Sequence, residues 1–235
     1  MPLVDNLLKT LLDFLYPISC LSCGLKGDWL CPECEEKLPQ LEAFACPVCL
    51  RPAIDGFTHP VCRSRNAPDR LICFFPYKNP LKKGIWRLKY GRRKLLADFF
   101  ARLITKNFPE FGLQFGPEAV LIPVPLHWTK RWLRGFNQSE LLAESLGKIL
   151  GVGVWSKALV KKKNTKSQTQ CTQKQREENV KGSLMVNPQF LPMVAGKDFI
   201  LVDDVVTTGN TLREACRVLK KAGAKYVYLL AIVKG

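Results

Sequence analysis

Asp203 and Asp204 stand side by side at the end of the apolar run Phe199–Val202, and a small-residue turn rich in hydroxyls follows them up to Thr211. A buried strand that ends in such a turn and runs into a helix makes a cradle for an anion. The turn's N–H groups point at the ligand, and the helix dipole favours negative charge there. Thr207, Thr208 and Thr211 add hydroxyl donors, and Gly209 permits close backbone approach. Val205, Val206 and Asn210 complete the loop. The two carboxylates do the opposite chemistry: they accept from ribose hydroxyls or help to hold Mg²⁺. A ribose 5-phosphate carries both kinds of group, so the segment predicts a phosphorylated-ribose site. The plainer reading, a solvated acidic pair ahead of an N-capping turn, leaves the meeting of acids, threonines and glycine unexplained. The carboxyl end of a strand is also where open α/β sheets place their ligands.

A second chemistry lies near the amino terminus. Ten cysteines occur in the chain, and seven of them fall between Cys20 and Cys62. Cys20/Cys23 and Cys31/Cys34 are CxxC pairs, a spacing that lets two thiolates in a tight turn face one ion, so together they predict a tetrahedral Cys₄ zinc site. Cys46/Cys49 and His59/Cys62 repeat the unit with a histidine in the first position of the last pair. Imidazole is an ordinary zinc ligand, and HxxC keeps the pair geometry. The competing reading is a surface histidine beside three cysteines. The ligands are taken as two sequential sites, with an interleaved arrangement as the alternative. All ligands are consumed, which predicts structural sites. Cys73 and Cys216 fall outside the spacing and are expected to pack in a strand and a helix, with Cys171 an exposed thiol.

These residues need elements to position them. After Asp69 the pattern predicts a strand over Leu71–Tyr77 and helices over Pro80–Tyr90 and Arg92–Asn107. A strand over Ala119–Pro123 and a helix over Gln138–Leu150 come next. The strand Asp198–Val205, the helix Asn210–Ala222 and the strand Tyr226–Val233 close the chain. Strands alternating with helices predict an α/β fold with a doubly wound, mainly parallel sheet. A composition shift near residue 66 divides the chain into a cysteine-rich module with its preceding helix, 1–68, and a larger unit, 69–235. Leu3–Leu15 has helical apolar spacing, expected to pack on the protein itself. Membrane-surface association is not expected, because that helix lacks a strongly basic face. The clustering of the cysteines and the lack of a readable secretory leader predict a cytoplasmic chain.

Hydrophobic residues make up 47% of the chain and charged residues 24%, which is ordinary for a globular protein. The net charge of +16 is not ordinary, and it predicts a nucleic acid or a phosphate-rich ligand as partner. The basic runs Arg87–Lys94, Lys130–Arg134 and Lys161–Arg176 surround the predicted site. Trp86, Tyr90, Trp128, Trp132 and Phe136 interleave with two of them. Charge that tracks a backbone, with rings free for base stacking, is the chemistry of single-stranded nucleic-acid binding. The alternative is that the rings anchor helices while the lysines are solvated.

Val202–Thr211 resembles the phosphoribosyl pyrophosphate (PRPP) binding motif of type I phosphoribosyltransferases. The likeness extends to Leu88–Gly91, Ile122–His127, Arg134–Gln138 and the paired cysteine units, and over nearly the whole chain it resembles the ComF family of competence proteins and their GntX-like relatives. His59 in place of a cysteine is the departure. The resemblance implies a type I phosphoribosyltransferase-like sheet behind a double zinc ribbon with two structural zinc ions. It implies PRPP or another phosphorylated ribose, with Mg²⁺, on Asp203–Thr211. Lys89, Arg131, Arg134, Asn137 and Gln138 become candidates for pyrophosphate or nucleic-acid contacts, and Lys161–Glu178 resembles the hood loop of this fold. The implied function is handling of incoming single-stranded DNA in natural transformation, with a competence helicase or other uptake proteins as partners. An active phosphoribosyltransferase with a nucleobase or amine acceptor is the alternative, and a zinc scaffold with a vestigial site is a third. No catalytic nucleophile or acceptor pocket is readable.

Overall fold

The computed structural model describes residues 18–91, 94–109, 112–126, 128–161 and 180–235. The helix expected over Leu3–Leu15, the lysine-rich segment beyond Lys161 and Cys171 lie outside the described residues. Strand β7 (Asp198–Val206) is the axis of the fold. Phe199, Ile200, Leu201 and Val202 are all fully buried, the continuous apolar run of a strand covered on both faces. It pairs in parallel with β8 (Tyr226–Lys234) over its whole length, from Asp198 opposite Tyr226 to Val206 opposite Lys234. On its other side it pairs with β3 (Val120–Pro123), which carries the short edge strand β4 (Gly153–Val154). Strands β1 (Arg70–Ile72) and β2 (Phe75–Pro76) both lie against β8, completing a six-stranded sheet in which every pairing is parallel. The one strand expected over Leu71–Tyr77 is therefore two, because the Phe74 carbonyl between them is taken by the amide of Leu41.

Alternate residues of β7 sort into two cores. Ile200 and Val202 pack with helices α2 (Leu81–Tyr90), α3 (Leu96–Lys106) and α5 (Gln138–Leu150). Phe199 and Leu201 pack with α6 (Asn210–Lys221). A short helix α4 (Trp128–Arg134) precedes α5. An antiparallel pair, β5 (Leu159–Lys161) with β6 (Leu184–Val186), stands apart from the main sheet. The helix expected over Arg92–Asn107 begins at Leu96.

The cysteine units are built into these cores. Cys20, Leu21, Trp29, Leu30, Cys31 and Leu38 share the α2/α3 core, next to the short helix α1 (Pro32–Glu36). Ala45 belongs to the core on the α6 side. Between them the chain crosses the sheet edge, where Phe44 meets Phe74 edge-on at 5.9 Å. The two cysteine units therefore lie on opposite faces of the sheet. Cys73 and Cys216 are buried, and burial pushes both thiols well above their ordinary range. Among the described residues no helix is long and apolar enough to cross a membrane.

Candidate functional site

Asp203 and Asp204 sit at the carboxyl end of β7, and the first turn of α5 is brought against them. Asn137 fixes that turn: its Oδ1 accepts from the Ser139 amide (3.1 Å), and its Nδ2 donates to the Val124 carbonyl (3.0 Å) just past β3. The cap satisfies an otherwise orphaned amide and ties the helix start to the sheet. Gln138 Nε2 then donates to Asp204 Oδ1 (3.1 Å), and Ser139 Oγ donates to Asp203 Oδ1 (2.9 Å). The Asp204 amide also donates to Asp203 Oδ1 at 2.9 Å. From α2, Lys89 Nζ forms an ion pair with Asp204 Oδ2. Arg134 completes the chain of contacts, donating to Gln138 Oε1 (3.0 Å) and to the Tyr90 hydroxyl (3.0 Å).

The electrostatics follow from this crowding. Burial and the neighbouring charge of Asp204 push the Asp203 carboxyl up to about 7, against the hydrogen bonds from Ser139 and the Asp204 amide. Asp204 is answered by Lys89 and Gln138. Asp203, with no cation of its own among these contacts, takes up a proton near neutral pH.

A cleft of about 390 Å³ opens over the pair. Lys89, Arg134, Gln138, Asp203, Asp204, Val205, Thr207 and Thr211 line it, with Val124, Pro125 and Leu126 as an apolar wall. Val206 is buried behind the loop. Gly209 carries the left-handed φ of +69° that lets the loop turn into α6, and its amino-end neighbours Thr207 and Thr208 stay accessible. Asn210 Oδ1 is bound by Arg213. Of the basic candidates, Lys89 and Arg134 enter the cleft, whereas Arg131 faces out and lies 3.5 Å from Glu140. Asn137 acts from behind as the cap. Ser139, Tyr77 and Lys161 also line the cleft, and Arg213 braces the loop. Sequence reasoning had Lys161 only as the start of a basic run and did not single out Ser139, Tyr77 or Arg213. For Ser139 a signal existed, since it follows a capping asparagine directly beside Gln138.

The cysteine units form two compact sets. Cys20, Cys23, Cys31 and Cys34 make one, and Cys46, Cys49, His59 and Cys62 the other, each with its ligand atoms within 4.8 Å of one another. Zinc–sulfur bonds of about 2.3 Å in a tetrahedron put sulfurs about 3.8 Å apart. The Cys23 and Cys31 sulfurs are 3.8 Å apart. His59 Nδ1 lies 3.4 Å from Cys49 Sγ, while Nε2 lies 2.9 Å from the Pro52 carbonyl. With Nε2–H donating to that carbonyl, the Nδ1 lone pair is left facing the sulfurs, as a zinc-binding imidazole requires. Both sets fit zinc, in the sequential pairing.

Comparison with known proteins agrees with this geometry. Residues 138–235 match the phosphoribosyl transferase domain family. The chain is 32% identical to the DNA utilization protein YhgH of Escherichia coli K12 over 229 residues, covering 93% of this chain and 97% of that one. It is 31% identical to Competence protein F of Haemophilus influenzae, covering 71% of this chain and 73% of that one. Among solved structures it matches the allosteric regulatory enzyme of purine biosynthesis at 21% identity and a TM-score of 0.40, covering 62% of this chain and 29% of the enzyme. An all-parallel sheet with paired acids at the end of its central strand and two Cys/His clusters in front thus joins a near full-length likeness to YhgH, and the chain belongs to the ComF/YhgH family, with its phosphoribosyltransferase domain and N-terminal cysteine clusters.

Proposed function

We propose that this protein binds PRPP, or another phosphorylated ribose, together with Mg²⁺, and that it handles incoming single-stranded DNA in natural transformation on the cytoplasmic side. The observation that carries the ligand assignment is the acidic pair beside the threonine-rich loop in one cleft, with Lys89 and Arg134 on the same walls. In this reading Asp203 and Asp204 take the ribose hydroxyls or the metal, and Val205–Thr211 surrounds the 5-phosphate. Lys89 and Arg134 face the pyrophosphate, with Gln138 relaying Arg134 to Asp204. Two zinc ions hold the cysteine clusters as structural sites. The division at residues 1–68 and 69–235 belongs to the same proposal, as does a competence helicase or another uptake protein as partner.

Titration calorimetry of PRPP with and without Mg²⁺ tests the ligand. Wild type is expected to bind, with Mg²⁺ strengthening the interaction, and the Asp203→Ala/Asp204→Ala double variant to give no heat. A wild type that gives none removes the proposal's centre.

The DNA assignment rests on exposed rings of α2 and α4, the helices that carry Lys89 and Arg134 of the cleft. Trp86 and Trp132 are 60% and 81% exposed, so they are not core anchors, whereas Phe136 is buried. Trp86 packs on Tyr90 at 5.7 Å between centroids, and Arg134 lies 4.8 Å from the Tyr90 ring centroid. Exposed rings among cations suit stacked bases and a phosphate backbone. Binding to an oligothymidine is expected to weaken steeply with salt, because phosphate contacts release counterions. Stacking is worth about 1–3 kcal/mol per base, so Trp132→Ala is expected to lose about 5- to 150-fold in affinity. Fluorescence anisotropy reads both effects, and binding that is undetectable at low salt refutes the assignment.

The second reading, an active phosphoribosyltransferase, draws support from the apolar wall of Val124, Pro125 and Leu126, which leaves room for an acceptor. Pyrophosphate release from PRPP that depends on an added nucleobase or amine would establish it.

A further inference from the structure

The phosphate loop and the second Cys/His cluster meet at one side chain. Arg213, in the first turn of α6, donates from Nη1 to the Thr208 carbonyl at 2.7 Å and reaches the carbonyls of Val48 at 3.3 Å and Pro47 at 3.5 Å. Its Nη2 is bonded to Asn210 Oδ1. Pro47 and Val48 are the two residues between Cys46 and Cys49, so the guanidinium bridges the ligand-bearing turn to the loop. Gly209 lies beside this bridge: a Cβ there would stand 3.4 Å from Arg213 Nη1, an ordinary contact, so its φ of +69° and not space is what favours glycine.

The contact continues down the helix. Cys216 Sγ donates to the Asn66 carbonyl at 3.6 Å, and Lys220 Nζ pairs with Asp69 at 2.7 Å. Positions 213, 216 and 220 form one stripe of a helix. Asn66 and Asp69 lie just after Cys62, the last ligand. From its first turn to its last, the helix that opens at the loop rests on the first turn of the second cluster and on the segment that follows its last ligand. The first cluster has no such position, because it packs on the other face of the sheet.

We propose that Arg213 is a positioning residue that couples metal at Cys46, Cys49, His59 and Cys62 to anion binding at Val205–Thr211. This rests on reading that loop as the phosphoribosyl site. A CxxC turn keeps its shape through the ion its thiolates share, and without the ion its carbonyls lose their fixed direction. The planar fork of arginine engages acceptors on both sides at once, which the single ammonium of lysine does not reproduce. The guanidinium therefore transmits the geometry of the turn to Thr208 and Asn210. Coupling between two sites is reciprocal, so ligand in the loop must tighten metal at the second cluster by the factor by which metal tightens ligand.

The test uses the full chain loaded with zinc. Competition against a chromophoric chelator measures zinc affinity with and without Mg·PRPP, and calorimetry measures PRPP affinity in the variants. In wild type one of two zinc ions is expected to bind about tenfold more tightly when PRPP is present. Arg213→Ala and Arg213→Lys should both erase that difference while still holding two ions. Cys62→Ser should weaken PRPP about tenfold, and in an Arg213→Ala background it should weaken PRPP no further than Arg213→Ala does alone. Amide exchange of the ligand-free protein separates this proposal from the ligand assignment. Cys62→Ser must speed exchange over Thr208–Arg213 and have no further effect in an Arg213→Ala background, whether or not PRPP binds. A wild type that binds PRPP with no change in zinc affinity overturns the coupling, and so does a loop whose exchange ignores Cys62→Ser.

Discussion

Asp203→Asn is expected to flatten the pH dependence of PRPP binding and, at the same time, to stabilise the ligand-free protein above neutral pH. Both effects follow from one carboxyl group that burial and the charge of Asp204 hold up to about 7. In the free protein this group carries a proton through the mildly acidic range. A metal or ribose hydroxyl that needs the ionised form must displace the proton, so affinity should rise with pH, by up to about tenfold per unit, and level off above about 7. For stability the sign is reversed. An unfolded aspartate ionises near about 3.9, so between about pH 4 and about pH 7 the folded state binds more protons. Stability must therefore fall as pH rises through that window, then stay level. Asparagine removes the ionisable group, leaving stability unchanged at pH 4 and higher at pH 8, by about 2–4 °C in Tm for each kcal/mol relieved. Asp204→Asn should act the other way, because it takes the counter-charge from Lys89, whose side chain is only 20% exposed. Thermal melts from pH 4 to 8, with calorimetry in buffers of different ionisation enthalpy, read both predictions. Equal pH slopes in wild type and Asp203→Asn would refute them.

The parts of the site that lie within one short segment were legible in the sequence. Phe199–Thr211 announces a strand, its acids, its turn and its helix, because each is a local property of neighbouring residues. The metal sets were legible for the same reason, down to His59, where the structure adds the Pro52 carbonyl that orients the ring. The pairings between elements were not legible. Ser139 meets Asp203 across 64 positions of chain, and although the capping asparagine marks the turn that carries it, nothing local says which acid it meets. Arg131 and Arg134 are equivalent as members of one basic run, yet Arg131 faces Glu140 and Arg134 turns to Gln138 and Tyr90. Only the direction of α4 relative to α5 decides between them. Strands β4, β5 and β6 have two or three residues each, too few for any periodicity to show. The break near residue 66 reflects a change in composition and gives no sign that Leu21, Trp29 and Leu30 pack among the side chains of α2 and α3.

That shared core sets the expected result of metal loss. Stripping the first cluster should unfold more than the cysteine unit, whereas disabling the second should leave a folded chain with a loosened α6. Cys20 and Cys31 are buried, and their neighbours Leu21 and Leu30 sit with Leu88 and Phe100 in the core that covers the sheet. Leu21 fits so closely over α2 that a Cβ on Gly84 would come within 2.7 Å of its Cδ1. Four converging sulfurs have no comparable partner besides the ion. Structural zinc contributes about 10–16 kcal/mol at neutral pH in small zinc modules, as much as the roughly 5–15 kcal/mol that holds a whole domain. Losing it removes the brace from Leu21, Trp29 and Leu30 together and opens the α2/α3 face to water. The second set has only Cys46 fully buried, and its load falls on the loop through Arg213. Cys20→Ser is therefore expected to bind one zinc ion at most and to show no cooperative thermal transition. Cys62→Ser should keep a cooperative transition at lower Tm. Circular dichroism melts with zinc quantified per chain distinguish the two. A zinc-free wild type that melts cooperatively within a few degrees of the loaded protein would show that the first cluster does not hold the fold together.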